Sequence, residues 1–108
     1  MNKLSALIIV HNEEKQLKDC LETISFADEI IVILDKCTDN SKKIAKKYTK
    51  NTFSGSWEIE GDRRNYGLKK CKNEWILEID ADERVPIMLK NEIFKIINTS
   101  KYDWHLIK

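Results

Sequence analysis

The sequence predicts an α/β domain with an open, mostly parallel sheet and flanking helices. Short apolar runs rich in β-branched residues recur along the chain, most clearly at residues 4–10 and 30–34. Such runs are typical of strands buried on both faces of a parallel sheet. The segments between them carry apolar residues at helical spacing, so strands and helices alternate. The length of 108 residues fits one small domain.

The individual elements follow from periodicity and from turn residues. Strands are predicted at residues 4–10, 30–34, 52–53, 74–79 and 102–107. Helices are predicted at about 15–25, 41–48, 64–71 and 86–98, with a loop over residues 54–61, which include two glycines. Asn12 is expected to cap the first helix, and Asp39 or Asn40 the second. The last strand would leave an open edge beside Trp104, so we expect self-association there unless another chain covers it.

Composition excludes several classes of protein. The chain has 19 Lys and Arg against 18 Asp and Glu, a formal charge of +1, so no global field attracts nucleic acid. Its three cysteines are far apart and form no C-x-x-C, which argues against a zinc site or a disulfide framework. They are expected to be mostly buried thiols in a reducing compartment. No apolar stretch reaches 18 residues, so we expect a cytosolic protein, with peripheral attachment to the inner membrane face left open.

Polar segments follow three of the predicted strands, at residues 11–14, 35–40 and 80–83. Ligands of open parallel sheets bind beyond the carboxyl ends of the strands, so these segments should line one site. Asp80 and Asp82 are one residue apart and suit a hard divalent cation such as Mg²⁺ or Mn²⁺. Such a cation would neutralise a departing diphosphate. The alternative is a cluster stabilised by the N-terminus of the helix that follows.

Other polar residues have both a binding and a structural interpretation. Asp35 suits a uracil ring or a ribose hydroxyl, or else an Asx-type turn. His11 could stack on a base, although a lone histidine is usually structural. Arg63 and Arg64 could contact a base or a phosphate through the planar guanidinium, or remain solvated. No G-x-G-x-x-G fingerprint and no P-loop motif occurs in the sequence.

Four motifs in order resemble the family 2 glycosyltransferases, which have the GT-A fold. They are L-S-A-L-I-I-V followed by H-N-E-E at residues 4–14, the loop D-K-C-T-D-N-S at 35–41, R-N-Y-G-L at 64–68, and W-I-L-E-I-D-A-D-E at 75–83. The D-A-D-E form with its preceding Trp75 looks most like the branch that adds sugars to lipopolysaccharide core. Lys36 and Cys37 depart from the usual second motif. On this resemblance, residues 1–108 are the nucleotide-sugar-binding portion of a GT-A domain.

The resemblance implies a role for each matching residue. These are a nucleoside pocket for His11 and Glu13, a base contact for Asp35, a base or phosphate contact for Arg64, a ribose and metal contact for Asp80, and a metal ligand for Asp82. The implied reaction moves a sugar, with inversion, from a nucleotide-diphosphate sugar to an acceptor hydroxyl. We expect a UDP-sugar donor, a glycan or glycolipid acceptor of the cell envelope, and Mn²⁺ or Mg²⁺ as cofactor.

The resemblance leaves the catalytic base unassigned. Members of the family are longer, and their base and acceptor site lie on later segments. An inverting transfer needs a base to deprotonate the acceptor. The alternative function is therefore a nucleotide-binding or interaction module without turnover. A related nucleotidyltransferase would normally have a glycine-rich loop after the first strand, where this chain has His11 and Asn12.

Overall fold

The computed structural model describes residues 3–99 and 105–107. The strands are β1 (Leu4–Val10), β2 (Glu29–Asp35), β3 (Thr52–Gly55), β4 (Trp75–Asp80) and β5 (His105–Ile107). The helices are α1 (Leu17–Thr23), α2 (Ser41–Lys46), α3 (Glu60–Lys70) and α4 (Ile87–Thr99). The predicted alternation of strands and helices is confirmed.

The strands form one parallel sheet in the order β3-β2-β1-β4-β5. β1 is the central strand and pairs along its length with both neighbours. Val10 lies opposite Leu34 of β2, and Ile9 lies opposite Asp80 of β4. The carboxyl ends of these three strands therefore reach the same edge of the sheet.

The side chains of each strand alternate between two apolar layers, as expected for a sheet covered on both faces. On one face Ala6 and Ile8 pack in a buried cluster with residues of α1, α2 and α4. On the other face Leu7 and Ile33 form a smaller buried cluster, against which α3 places Tyr66 and Leu68. α3 is thus the helix that covers the second face over β1 and β2.

Two local expectations were wrong. α3 begins at Glu60 rather than near residue 64, so Gly61 lies in its first turn and not in a loop. Asn12 does not cap α1, which is preceded by Gln16 without any side-chain capping bond. Asn12 instead adopts a φ of 50°, a left-handed conformation that asparagine tolerates better than most residues. Its side chain is used between two loops, as described below.

The remaining expectations concern the cysteines and the last strand. All three cysteines carry free thiols, and Cys20 is buried while Cys37 and Cys71 are half-buried. No helix within residues 3–99 is long and apolar enough to cross a membrane. The predicted final strand is present at its carboxyl end, but Tyr102 and Trp104 lie outside the described residues. Self-association through that edge stays a prediction.

Two glycines of α3 offer a matched test of how closely this helix packs on the sheet. A Cβ at Gly67 would lie 2.8 Å from Cδ1 of Leu7 and 3.1 Å from Cγ1 of Ile33, whereas a Cβ at Gly61 meets nothing within 4 Å. We expect Gly67→Val to destabilise the fold by about 2 kcal/mol through overpacking. Gly61→Ala should stabilise it by about 0.5 kcal/mol because alanine favours helix. Urea unfolding of both variants checks this, and equal midpoints would contradict it.

Candidate active site

A polar cleft of about 480 Å³ lies beyond the carboxyl ends of β1 and β4. One wall comes from the carboxyl ends of these strands and the segments that follow them, and the other from the first turns of α3. The lining residues are Ile9, His11, Glu13, Glu60, Arg63, Arg64, Glu78, Asp80, Ala81 and Asp82. The position agrees with the rule that open parallel sheets bind ligands at this edge.

The segment after β1 is held by the segment after β2. The Oδ1 atom of Asn12 accepts hydrogen bonds from the backbone N–H groups of Thr38 at 2.7 Å and Asp39 at 3.2 Å. In return, the backbone N–H of Glu13 donates to Oγ of Ser41 at 3.0 Å. The backbone N–H of Glu14 donates to Oδ2 of Asp39 at 3.2 Å. These residues form a loop clamp that fixes the backbone on which His11 and Glu13 stand.

Asp39 and Asn40 share the start of α2. Asn40 occupies the capping position but makes no side-chain capping bond, whereas Oδ1 of Asp39 accepts from the backbone N–H of Ser41 at 2.9 Å. Partial burial would raise the pKa of Asp39, but hydrogen bonds from the hydroxyl and backbone of Ser41 and from the backbone of Glu14 lower it below its ordinary value. Asp39 is therefore a structural carboxylate of the loop clamp.

Asp35 is buried at the end of β2 and holds Arg63. Its Oδ2 atom accepts from Nη1 of Arg63 at 2.9 Å, and its Oδ1 atom accepts from the backbone N–H of Trp57 at 3.1 Å. Burial alone would raise the pKa of Asp35, but the Trp57 hydrogen bond and the Arg63 guanidinium outweigh it and lower that pKa. Asp35 does not line the cleft itself. It is linked to the cleft through Arg63, which does.

Arg64 is held by Glu78 in the same way. Its Nε atom donates to both carboxylate oxygens of Glu78, at 2.8 and 3.1 Å. Glu78 lies on β4, two residues before Asp80, so its side chain shares the α3 face of the sheet with that of Ile76. Each arginine of the cleft therefore has its own carboxylate partner from a neighbouring strand.

The segment after β4 folds into a tight turn. Oε1 of Glu83 accepts from the backbone N–H of Asp80 at 2.8 Å, and the backbone N–H of Glu83 donates to the carbonyl of Asp80 at 2.9 Å. Arg84 closes the turn by donating from Nη1 to the carbonyls of Ala81 and Glu83. The turn presents the exposed side chains of Asp80 and Asp82 to the cleft.

The cleft is negative as a whole. Five carboxylates line it against two guanidinium groups, an excess of three negative charges with His11 neutral. Asp80 and Asp82 provide carboxylate oxygens of the kind that Mg²⁺ and Mn²⁺ prefer. Within residues 3–99, however, no group of three or more His, Cys, Asp or Glu side chains is arranged to hold a metal ion. A cation at this aspartate pair would need further ligands from its substrate and from water.

The cleft brings together five of the six residues that the sequence singled out, namely His11, Glu13, Arg64, Asp80 and Asp82. His11 is exposed and places Nδ1 2.8 Å from the carbonyl oxygen of Asp35. From the sequence, Glu60 and Glu78 had no assigned role, and the residues alone did not distinguish Arg63 from Arg64 as a base or phosphate contact. The signal for Glu78 was present as a carboxylate inside an otherwise apolar strand.

Comparison with known proteins decides the family. The model of glycosyl transferase family 2 matches residues 5–104, which is nearly the whole chain. The chain belongs to this family. The family 2 membership that the four sequence motifs implied is therefore confirmed.

Bacterial glycosyltransferases match most of the chain. An uncharacterised glycosyltransferase of Rickettsia typhi is 31% identical over 98% of this chain and 37% of its own length. The lipopolysaccharide core biosynthesis glycosyltransferase LpsC of Rhizobium meliloti is 28% identical over 90% of this chain and 38% of its own length. The latter agrees with the resemblance to the lipopolysaccharide core branch. The chain thus spans less than two fifths of the length of these relatives.

Solved structures of glycosyltransferases share the fold. A crystal structure of Staphylococcus aureus TarS has a TM-score of 0.70 and 27% identity, over 87% of this chain and 32% of that one. The glucosyl-3-phosphoglycerate synthase of Mycobacterium tuberculosis, in complex with Mn²⁺, UDP and glucosyl-3-phosphoglycerate, has a TM-score of 0.74 at 17% identity. It covers 93% of this chain and 41% of its own. The family 2 chain therefore has the predicted fold, that of part of a GT-A domain.

Asp35→Asn tests the buried pair with Arg63. The substitution leaves the guanidinium without its charged partner, so we expect a loss of about 2 kcal/mol of unfolding free energy at pH 7. Because folding lowers the pKa of Asp35, its stabilisation is fully present above the unfolded pKa of about 3.9 and is lost as the pH falls from there through the lower folded pKa. Urea unfolding at pH 7 and at low pH measures the difference. Asp62→Asn, at an exposed position of α3, is the control, and a pH-independent difference would contradict the assignment.

Proposed function

We propose that this chain forms the donor-binding part of a glycosyltransferase that moves a sugar from a UDP-sugar to an acceptor hydroxyl with inversion. The observation that carries the proposal is the cleft in which His11, Glu13, Arg64, Asp80 and Asp82 converge. Membership of family 2 supports the class of reaction. Complexes of a structural relative with UDP and a divalent metal support the donor and the cofactor.

The charge of the cleft supports a metal-dependent donor site. A nucleoside diphosphate is an anion, and the cleft has an excess of carboxylates over guanidinium groups. Like charges repel, so the diphosphate without a cation should bind poorly. Mn²⁺ or Mg²⁺ on Asp82, with Asp80, would reverse the local sign and neutralise the departing diphosphate. Such a cation usually completes its coordination shell with phosphate oxygens and water, which suits a site with two carboxylates.

Base recognition is assigned to the β1 side of the cleft. His11 is exposed there and suits stacking on the base, with Glu13 beside it. Both carboxylate oxygens of Asp35 already accept hydrogen bonds. A carboxylate has about four lone-pair sites, so Asp35 retains acceptor capacity for a ring N–H, although it does not itself line the cleft. Arg63 and Arg64 can each offer planar donors to the base or the phosphates.

The acceptor is proposed to be a glycan or glycolipid of the cell envelope, which the similarity to LpsC supports. We place the reaction in the cytosol, with peripheral contact to the membrane for a lipid-linked acceptor. The general base is not assigned to any residue of this chain, which spans 37% of its Rickettsia typhi relative. With no base assigned, the second candidate function is donor binding without turnover by this chain alone.

Calorimetry with UDP, with and without Mn²⁺, tests the donor site. We expect tight binding only with the metal, and Asp82→Ala should remove the metal-dependent increment because it deletes the proposed ligand. Asp19→Ala, at an exposed position of α1, is the matched control and should bind as the wild type does. In the absence of metal, raising the salt concentration from about 50 mM to about 500 mM should improve binding, since salt screens the negative cleft.

Two outcomes decide between the candidates. A folded protein that binds neither UDP nor GDP under any metal condition would refute the donor site. Metal-dependent binding without sugar transfer to any envelope glycan would leave the second candidate, binding without turnover. Transfer is measured with a radiolabelled UDP-sugar.

A further inference from the structure

Glu78 is an acidic side chain in a place where charge is costly. It lies inside β4, between residues that are buried on either side, and only 13% of its side chain is exposed. Its carboxylate adds a negative charge to a cleft that already has four others. For a site that must accept an anion, this charge by itself is unfavourable. A useful role for Glu78 must therefore come from what it holds.

What Glu78 holds is one end of the Arg64 guanidinium. Both carboxylate oxygens accept from Nε, at 2.8 and 3.1 Å. The terminal nitrogens Nη1 and Nη2 make no hydrogen bond with any residue that the structure describes. A guanidinium is rigid and planar, so fixing Nε also fixes the plane and direction of both terminal nitrogens. Arg64 lines the same cleft as Asp80 and Asp82 at the end of β4.

We propose that Glu78 is a positioning residue that fixes Arg64 so that its two terminal nitrogens meet the diphosphate of the donor. The inference rests on the proposed donor site and adds a residue to which the family resemblance assigned no role. Without this restraint, a long arginine side chain that is 39% exposed would lose rotamer entropy on contact with the phosphates. With the Glu78 restraint, the rotamer entropy of Arg64 is lost when the chain folds. The nucleotide-sugar then meets two N–H groups that are already oriented.

The proposal and simple electrostatics predict opposite changes in UDP affinity when Glu78 is removed. If Glu78 acted only through its charge, its removal would make the cleft less negative and would strengthen UDP binding. If it positions Arg64, its removal weakens binding although the cleft becomes less negative. Two variants of similar shape separate the effects. Glu78→Gln keeps an oxygen acceptor for Nε, and Glu78→Met keeps the length of the side chain without an acceptor.

The experiment is calorimetry of the full chain with UDP at saturating Mn²⁺. We expect Glu78→Met to weaken UDP binding about 10-fold, the size of one lost charge-assisted contact, and Glu78→Gln to restore it to within about 3-fold of the wild type. In an Arg64→Ala background, Glu78→Met should cause no further loss of binding, because neighbours that act through one contact are not additive. Glu74→Met, at an exposed position just before β4, is the matched control and should not change binding.

Each outcome has a distinct meaning. Equal or tighter binding by Glu78→Met, with normal binding by the wild type, would overturn the positioning role and leave the donor site intact. So would an equal loss in the Arg64→Ala background. If the wild type does not bind UDP with Mn²⁺, the proposed function itself fails, and the positioning role with it. If Glu78→Met does not fold, the cost of Glu78→Gln for UDP binding is measured in the wild type and in the Arg64→Ala background, and an equal cost in both would overturn the positioning role.

Discussion

The parallel pairing of β1 with β2 on one side and β4 on the other is the constraint on which the site depends. Because all three strands run in the same direction and are in register, their polar continuations emerge at one edge of the sheet. The two-residue repeat of each strand then assigns every side chain to a face. On β4, this repeat buries Leu77 and Ile79 under the helices of one face and leaves Glu78 on the other, within reach of α3.

The pairing of charges across the second face joins the helix to the site. α3 brings Arg63 and Arg64 to the cleft as consecutive residues, and each finds a carboxylate on a different strand, Asp35 on β2 and Glu78 on β4. The two ion pairs lie on either side of the central strand β1. They connect α3 to β2 and to β4, the two strands that pair with β1. The two pairs differ in exposure, because Asp35 is less exposed than Glu78 and Arg63 is less exposed than Arg64. Their contributions to the free energy of unfolding therefore differ.

Most of the fold could be predicted from the sequence because its main signals are local. Apolar runs such as residues 4–10 identify the buried strands whatever lies around them, and their alternation with amphipathic segments leaves few topologies. The start of α3 was not predictable in this way. Gly61 is a poor helix former, and Ile59, the residue before the helix, makes no side-chain capping bond that would mark its start.

The sequence predicted which segments form the site, but it did not predict which side chains pair with one another there. The aspartates after β4 and the polar residues after β1 could be located, since strand ends are marked in the sequence. Which arginine meets which carboxylate depends on the height of α3 above the sheet, a quantity set by side-chain volumes far apart in the chain. Asn12 illustrates the same limit, because its side chain suits a helix cap and a bridge between loops equally well.

The loop clamp has a consequence for how a ligand is received. Because Asn12, Asp39 and Ser41 join the segment after β1 to the start of α2 by hydrogen bonds in both directions, the backbone under His11 and Glu13 has little freedom left to lose. The backbone of the segment after β1 is therefore already ordered when the chain folds. A ligand at the cleft meets a rigid surface there, and its free energy of association is not reduced by the ordering of a mobile loop.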